Sequence, residues 1–247
     1  MNQKNTIKLN VAGVPCQLII DDKSLFHYLN KNYWSEKTQK QPEVEIDILK
    51  NNNCFKIYSK LSKLKITVDM KKKDLLFKDI DWIIRTIIQS SLLKNKIFFI
   101  HSSSIINNGR VFAFLGLSGK GKSTIISNFK KSNIIGDDIL LLRKIGNNYL
   151  PYQSPFEKMR VNKIKNLDKS VISKLFILEQ GNKLEEKPIK SQKIISFLLS
   201  DNYVPRLPQV KLISYSDLIL DLVKKLQFTK LVFPKVFTEK DFFNNHG

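Results

Sequence analysis

The sequence predicts an α/β protein in two parts: a small antiparallel β-rich domain over residues 1–78, then a larger α/β domain over residues 79–247. Three observations predict it. Apolar and polar residues alternate with period two through "VEIDILK", "CFKIYSK" and "LKITVDM" in the first part. The period then becomes helical, with Ile80, Ile83, Ile84, Ile87 and Ile88 at i, i+3, i+4, i+7 and i+8. Beyond that helix, "FLGLSGKGKST" sets Gly116, Gly121, Lys122 and Ser123 in the spacing G-x-x-x-x-G-K-S, between a predicted strand and a predicted helix.

The elements follow in order. "TIKLNVAG" and "VPCQLII" are candidate strands around the turn residue Gly13, and "SLFHYLNKNYW" is a short helix with Ser24 as its cap. Three alternating strands complete the first sheet, and the isoleucine-faced helix near residues 78 to 95 marks the domain border. "KIFFIHSSSIINNGRVFAFLG" reads as strand, tight turn, strand, because Asn108 and Gly109 tolerate the positive φ of a two-residue turn. With those two at the turn, Asn107 faces Arg110, and the register carries His101 to a place opposite Gly116. After the loop, "KSTIISNFKK" is a helix of about ten residues, and "NIIGDDILLLRK" is a strand around an acidic pair. "YLPYQSPFEKMRV" is irregular, "SKLFILEQGN" is a strand ending at Gly181, and "SQKIISFLLSD" and "SYSDLILDLVKKLQ" are amphipathic helices. "KLVFPKVF" is a last strand, interrupted by Pro234 and so expected at a sheet edge.

Composition bounds the function classes. With 42% apolar residues the chain is globular, and its longest apolar runs fall far short of a membrane span. The N-terminus lacks the apolar core of a signal peptide, so a cytoplasmic location is expected. Cys16 and Cys54 form no C-x-x-C and read as buried small apolar residues. The net charge of +20 is carried by lysines spread along the whole chain, with only Arg85, Arg110, Arg143, Arg160 and Arg206 as arginines. Base reading favours arginine, so a nucleic-acid partner is not expected; a basic surface still helps to recruit an acidic substrate.

The glycine-rich loop carries the chemistry. Glycines let successive backbone N–H groups turn inward onto phosphate oxygens, and a helix starting at the loop adds its positive end. Gly116, Ser118, Gly119, Lys120, Gly121, Lys122, Ser123 and Thr124 are the expected nucleotide-binding residues, with Lys122 reaching the outer phosphates and the Ser123 hydroxyl suited to Mg²⁺. Asp137 and Asp138 lie 15 and 16 residues past Lys122, beside the apolar "ILLL" strand. One carboxylate can hold Mg²⁺ while the other takes the proton of an attacking hydroxyl. His101 is the expected partner of one aspartate or of a phosphate. Glu157 and Arg160 in "SPFEKMR" read either as a surface loop or as a loop closing over the substrate.

"IHSSSIINNGRVFAFLGLSGKGKST" followed by "IIGDDILLL" resembles the HPr-kinase-related proteins, in the order His, hairpin, strand, P-loop, helix, Asp-Asp, strand. "LNVAGVPCQLIIDD" resembles the N-terminal β domain of such proteins, and "SPFEKMR" their Thr-Pro-Phe loop. The resemblance implies a P-loop domain of the HPr kinase/phosphoenolpyruvate-carboxykinase-like type with a mixed sheet. It also implies ATP and Mg²⁺ as cofactors, and phosphoryl transfer to a serine hydroxyl on a protein, a peptide or a small molecule. Carried over by position, Lys122 and Ser123 serve nucleotide and metal, Asp137 and Asp138 supply metal binding and the general base, and His101 sits with them. The chain departs from the family in showing no close equivalent of the Gly-rich segment with a Glu and an Arg that follows the Asp pair, Arg206 being the one arginine of its last 80 residues, and in having Glu157 directly after Phe156 where the family loop has Gly-Glu. Two other readings compete. A transport ATPase would need an LSGGQ signature, which the sequence lacks. A catalytically silent nucleotide-binding sensor or accessory protein would use the same residues without a working base. The oligomeric state is open, a homo-oligomer included.

Overall fold

The computed structural model describes residues 4–36, 40–52, 54–61, 64–69, 76–158, 161–200 and 209–246. It is an α/β protein with two mixed sheets. By internal contacts the chain divides into two units, Met1–Lys94 with Pro155–Met159, and Asn95–Ser154 with Arg160–Gly247.

The first unit holds a five-stranded sheet in the order β1-β2-β3-β4-β5, formed by β1 (Asn5–Val11), β2 (Val14–Ile20), β3 (Val44–Asn51), β4 (Cys54–Ser59) and β5 (Leu64–Asp69). The β1–β2 turn is two residues long, Ala12 and Gly13, both at positive φ, and Gly13 donates its N–H to Asn10 Oδ1 at 2.7 Å. The sheet is mixed rather than antiparallel throughout, because α1 (Lys23–Asn32) lies between β2 and β3 in the chain and lets them pair parallel. Asp22, not Ser24, caps that helix, its Oδ1 accepting from Leu25 N at 2.8 Å.

Alternation puts Ile7, Leu9, Val11, Cys16, Leu18, Val44, Ile46, Ile48, Phe55 and Ile57 inside. Helix α2 (Leu76–Leu92) buries Ile80, Ile84, Ile87 and Ile88 and belongs to this unit. The border therefore falls after Lys94 instead of after residue 78: Asp81 of α2 accepts from the buried Tyr33 hydroxyl and pairs with Arg85 at 2.8 Å. Cys16 is buried, and burial, followed by the charge of Glu43, pushes its thiol up to about 12; Cys54 is only half-buried.

"SPFEKMR" also departs from expectation. Phe156 and Glu157 are 3% and 2% exposed and belong to the first unit. The Phe156 ring meets Tyr33 edge-on with centroids 5.0 Å apart and carries the Arg85 guanidinium over its face. Glu157 is thus no surface residue. Arg160 and Arg206 lie outside the described residues.

The second unit is built on an eight-stranded sheet. Its strands are β6 (Ile97–Asn107), β7 (Arg110–Leu115), β8 (Ile134–Gly136), β9 (Ile139–Ile145), β10 (Asn148–Gln153), β11 (Val171–Gln180), β12 (Glu185–Lys187) and β13 (Phe228–Phe233). The order is β10-β9-β6-β7-β11-β13-β12, with β8 paired to β6. β7 is antiparallel to β6 and parallel to β11, and β11 is parallel to β13. Pro234 stands just past the end of β13, so no ladder N–H is lost and the strand runs inside the sheet, between β11 and β12, rather than at its edge.

The helices of this unit are α3 (Lys122–Ile126), α4 (Ser191–Leu198), α5 (Gln209–Lys225) and α6 (Glu239–His246). Helix α3 is half as long as expected. The Ser127 hydroxyl and the Asn128 amide both donate to the Thr124 carbonyl, at 2.7 and 2.9 Å, offering that carbonyl side-chain partners instead of the next helical N–H. Phe112, Phe114, Phe129, Phe176 and Phe242 interlock beneath it, with Phe129 and Phe242 centroids 5.1 Å apart.

Candidate functional site

The functional side chains come from β6, from the loop and helix that follow β7, and from the bend between β8 and β9. β7 ends at Leu115 and runs into the glycine-rich loop. The loop turns back on itself because Gly119 and Gly121 take φ of +78° and +93°. A Cβ on Gly121 would lie 2.8 Å from the Phe233 ring, so that position is closed to larger residues, while one on Gly116 would lie 3.2 Å from the Lys120 side chain, a tight contact. Lys122, the first residue of α3, folds its ammonium over the loop and donates to the Gly116 carbonyl at 2.6 Å. Burial pushes Lys122 below its usual value, while the charges of Asp138 and Asp137 oppose that shift.

The acidic pair arrives from the β6 side. β6 pairs with β9 through His101 opposite Ile139, and with β8 from Ser104 opposite Gly136. Asp137 and Asp138 form the bend between β8 and β9, directly beside β6. Ser102 N donates to the Asp138 carbonyl at 3.0 Å. His101 Nδ1 lies 3.0 Å from the same carbonyl and 2.9 Å from Asp138 Oδ1. A carbonyl can only accept, so Nδ1 carries the proton. Asp137 Oδ1 lies 3.3 Å from the Ser123 hydroxyl and 3.3 Å from the Ser103 hydroxyl. The loop and the acidic bend thus meet through the hydrogen bond from Ser123 to Asp137.

The β6–β7 hairpin keeps the register that the turn dictates, from Asn107 opposite Arg110 to Ser102 opposite Leu115. Pairing stops one residue short of the expected His101–Gly116 rung, since β7 has already turned into the loop; His101 nonetheless lines the same pocket.

That pocket, about 330 Å³, is lined by His101 of β6, Ser118, Gly119, Gly121, Lys122, Ser123 and Thr124 of the loop and α3, Asp137 and Asp138 of the bend, and Gln180 at the end of β11. Of the expected nucleotide-binding residues, Gly116 supplies the carbonyl that holds Lys122, and Lys120 is exposed on the loop. Gln180 was not legible in the sequence. It reaches the site because β11 runs parallel to β7 and ends beside the loop, which is the opposite flank from the aspartates. Only the pairing of β11 with β7 reveals it.

No family model and no curated protein matches the chain. What the site can do is therefore argued from its own donors. Among the described residues no group of three or more His, Cys, Asp or Glu side chains gathers to cage a metal. A serine hydroxyl and one or two carboxylates are hard oxygen donors, and they fit Mg²⁺, which keeps most of its shell for water and phosphate oxygens. A glycine-rich loop with its lysine in the same pocket is chemistry that suits phosphate oxygens.

Proposed function

We propose that the chain is an ATP- and Mg²⁺-dependent kinase that phosphorylates a serine-type hydroxyl on a protein, peptide or small molecule, using a P-loop domain of the HPr-kinase-like type. The observation that carries this reading is the contact between Ser123 of the loop and Asp137 of the bend, 3.3 Å apart, with Lys122 in the same pocket. A glycine-rich turn that matched the motif by chance would have no reason to face a pair of carboxylates.

In this reading the site residues take separate roles. Loop amides and Lys122 hold the phosphate chain. Ser123 and Asp137 would hold Mg²⁺, which when bound neutralises charge on the phosphate oxygens. Asp138 is the general base: it accepts the proton of the acceptor hydroxyl as that oxygen bonds to the γ-phosphorus and the bond from phosphorus to the β-bridging oxygen breaks, releasing ADP. His101 orients Asp138 through Nδ1–H and stabilises its charge.

The test is incubation of the protein with γ-labelled ATP, Mg²⁺ and a panel of free serine, serine peptides and candidate protein acceptors. Label transferred to serine, lost in Asp138→Asn with nucleotide binding retained, supports the proposal. Undiminished serine phosphorylation by an Asp137→Asn/Asp138→Asn double variant refutes it, and tight nucleotide binding without transfer to any acceptor points to a silent sensor.

A further inference from the structure

We infer that Ser103 is the positioning residue for Asp137: its buried hydroxyl divides its one proton between the carbonyl of that aspartate, at 3.0 Å, and the carboxylate, at 3.3 Å, and so sets the carboxylate toward Ser123 and a divalent cation. The inference rests on the kinase reading above for the identity of the cation and nucleotide.

Three consecutive serines, Ser102, Ser103 and Ser104, are fully buried in β6, a place where each hydroxyl must find a partner or lose its hydration without return. They do not share one solution. The Ser102 hydroxyl reaches the Ile100 carbonyl at 3.4 Å. The Ser104 hydroxyl has no hydrogen-bond partner among the described residues. Ser103 alone is turned to the acidic bend, 3.0 Å from the Asp137 carbonyl and 3.3 Å from Asp137 Oδ1. Residues two apart on a strand point the same way. His101 and Ser103 therefore form a two-point clamp, the histidine on Asp138 and the serine on Asp137.

The second hydroxyl on Asp137 explains why the clamp is needed. Asp137 Oδ1 is shared between Ser103 from the buried strand and Ser123 from the exposed start of α3. Ser123 would offer a cation its oxygen lone pair from the exposed start of α3, whereas Ser103 is anchored in the core strand and would hold the direction of the carboxylate whether or not a cation is bound. Partners of this kind, one step behind a metal ligand, alter metal affinity about ten- to a hundred-fold when removed.

The experiment follows binding, not turnover. A fluorescent ATP analogue is titrated at increasing Mg²⁺ and, separately, in EDTA, with the wild type, Ser103→Ala, Ser103→Cys and Ser104→Ala. Ser103→Ala is expected to raise the half-saturating Mg²⁺ about tenfold or more and to leave the EDTA affinity within about twofold. Ser103→Cys, with a weaker donor of similar shape, falls between wild type and alanine. Ser104→Ala, which removes a hydroxyl with no partner, matches wild type in both series. A wild-type Mg²⁺ dependence in Ser103→Ala, or in Ser103→Cys should the alanine variant fail to fold, overturns the inference alone. An equal loss in Ser104→Ala also overturns it, because the effect would then belong to the strand. Nucleotide binding by the wild type that ignores Mg²⁺ overturns both the inference and the kinase reading.

Discussion

Gly121→Ala offers a perturbation whose size can be worked from the loop itself. Gly121 sits at φ +93°, where an L-residue costs about 1–2 kcal/mol. Its new Cβ would also lie 2.8 Å from the tip of the Phe233 ring. That ring is 1% exposed and packed in the aromatic core, so it cannot swing into solvent. Overpacking of this kind adds about 1–3 kcal/mol. The sum, about 2–5 kcal/mol, is a large part of the stability of an ordinary domain. For a unit of this size each kcal/mol moves the melting temperature by about 2–4 °C, so a fall of roughly 4–20 °C is expected.

Gly119→Ala is the internal control. Gly119 has φ +78°, but nothing lies within 4 Å of its Cβ position, so only the backbone cost applies. Thermal unfolding of the two variants beside wild type separates the terms. A Gly121→Ala melting temperature no lower than that of Gly119→Ala would refute the claim that the loop is pressed against the end of β13.

Other perturbations test other parts of the account. Gln180→Ala is expected to weaken binding of a γ-phosphate-containing analogue several-fold more than binding of ADP, measured by calorimetry; equal losses would remove Gln180 from the phosphate end of the pocket. His101→Gln keeps a side-chain N–H donor but loses the rigid ring that presents it to Asp138, so turnover should fall with nucleotide affinity held, as read by separate steady-state and binding titrations. Stability should also respond to acid through Asp221, whose carboxyl is held down at about 2 by hydrogen bonds from Lys144 and Tyr149. A depressed carboxyl stabilises the fold above its unfolded value near 4 and loses that contribution as pH falls through about 2. The group is partly exposed, so solvent screening reduces the effect to about 1 kcal/mol; melting curves of Asp221→Asn should be flatter than wild type over that pH window.

Features governed by local chemistry were legible in the sequence. Asn108 and Gly109 announced a two-residue turn, and the turn fixed the β6–β7 register without help from the rest of the chain. The spacing of Gly116, Gly121, Lys122 and Ser123 announced the loop, and the acidic pair followed at one crossover's distance. What escaped depends on pairing between distant segments. Gln180 joins the site only because β11 lies parallel to β7, and the parallel β2–β3 pair depends on where α1 returns the chain. The Asp22 cap was missed for a nearer serine, although aspartate caps as well as serine does. Helix α6 did leave a signal. Thr238 and Asp241 stand three apart and exchange hydrogen bonds across its start, Asp241 N donating to Thr238 Oγ1 at 3.1 Å and Thr238 N to Asp241 Oδ2 at 3.0 Å. Ser103 left none, since three serines in a row do not say which of them turns to the acidic bend.

The most direct test of the central claim is calorimetric titration of ATP with Mg²⁺ into wild type, Lys122→Ala and Asp137→Asn. Binding by the wild type that is lost in Lys122→Ala, and that no longer responds to Mg²⁺ in Asp137→Asn, is the expected result. Wild-type protein that takes up no nucleotide, or a Lys122→Ala variant that binds as tightly as wild type, would contradict it.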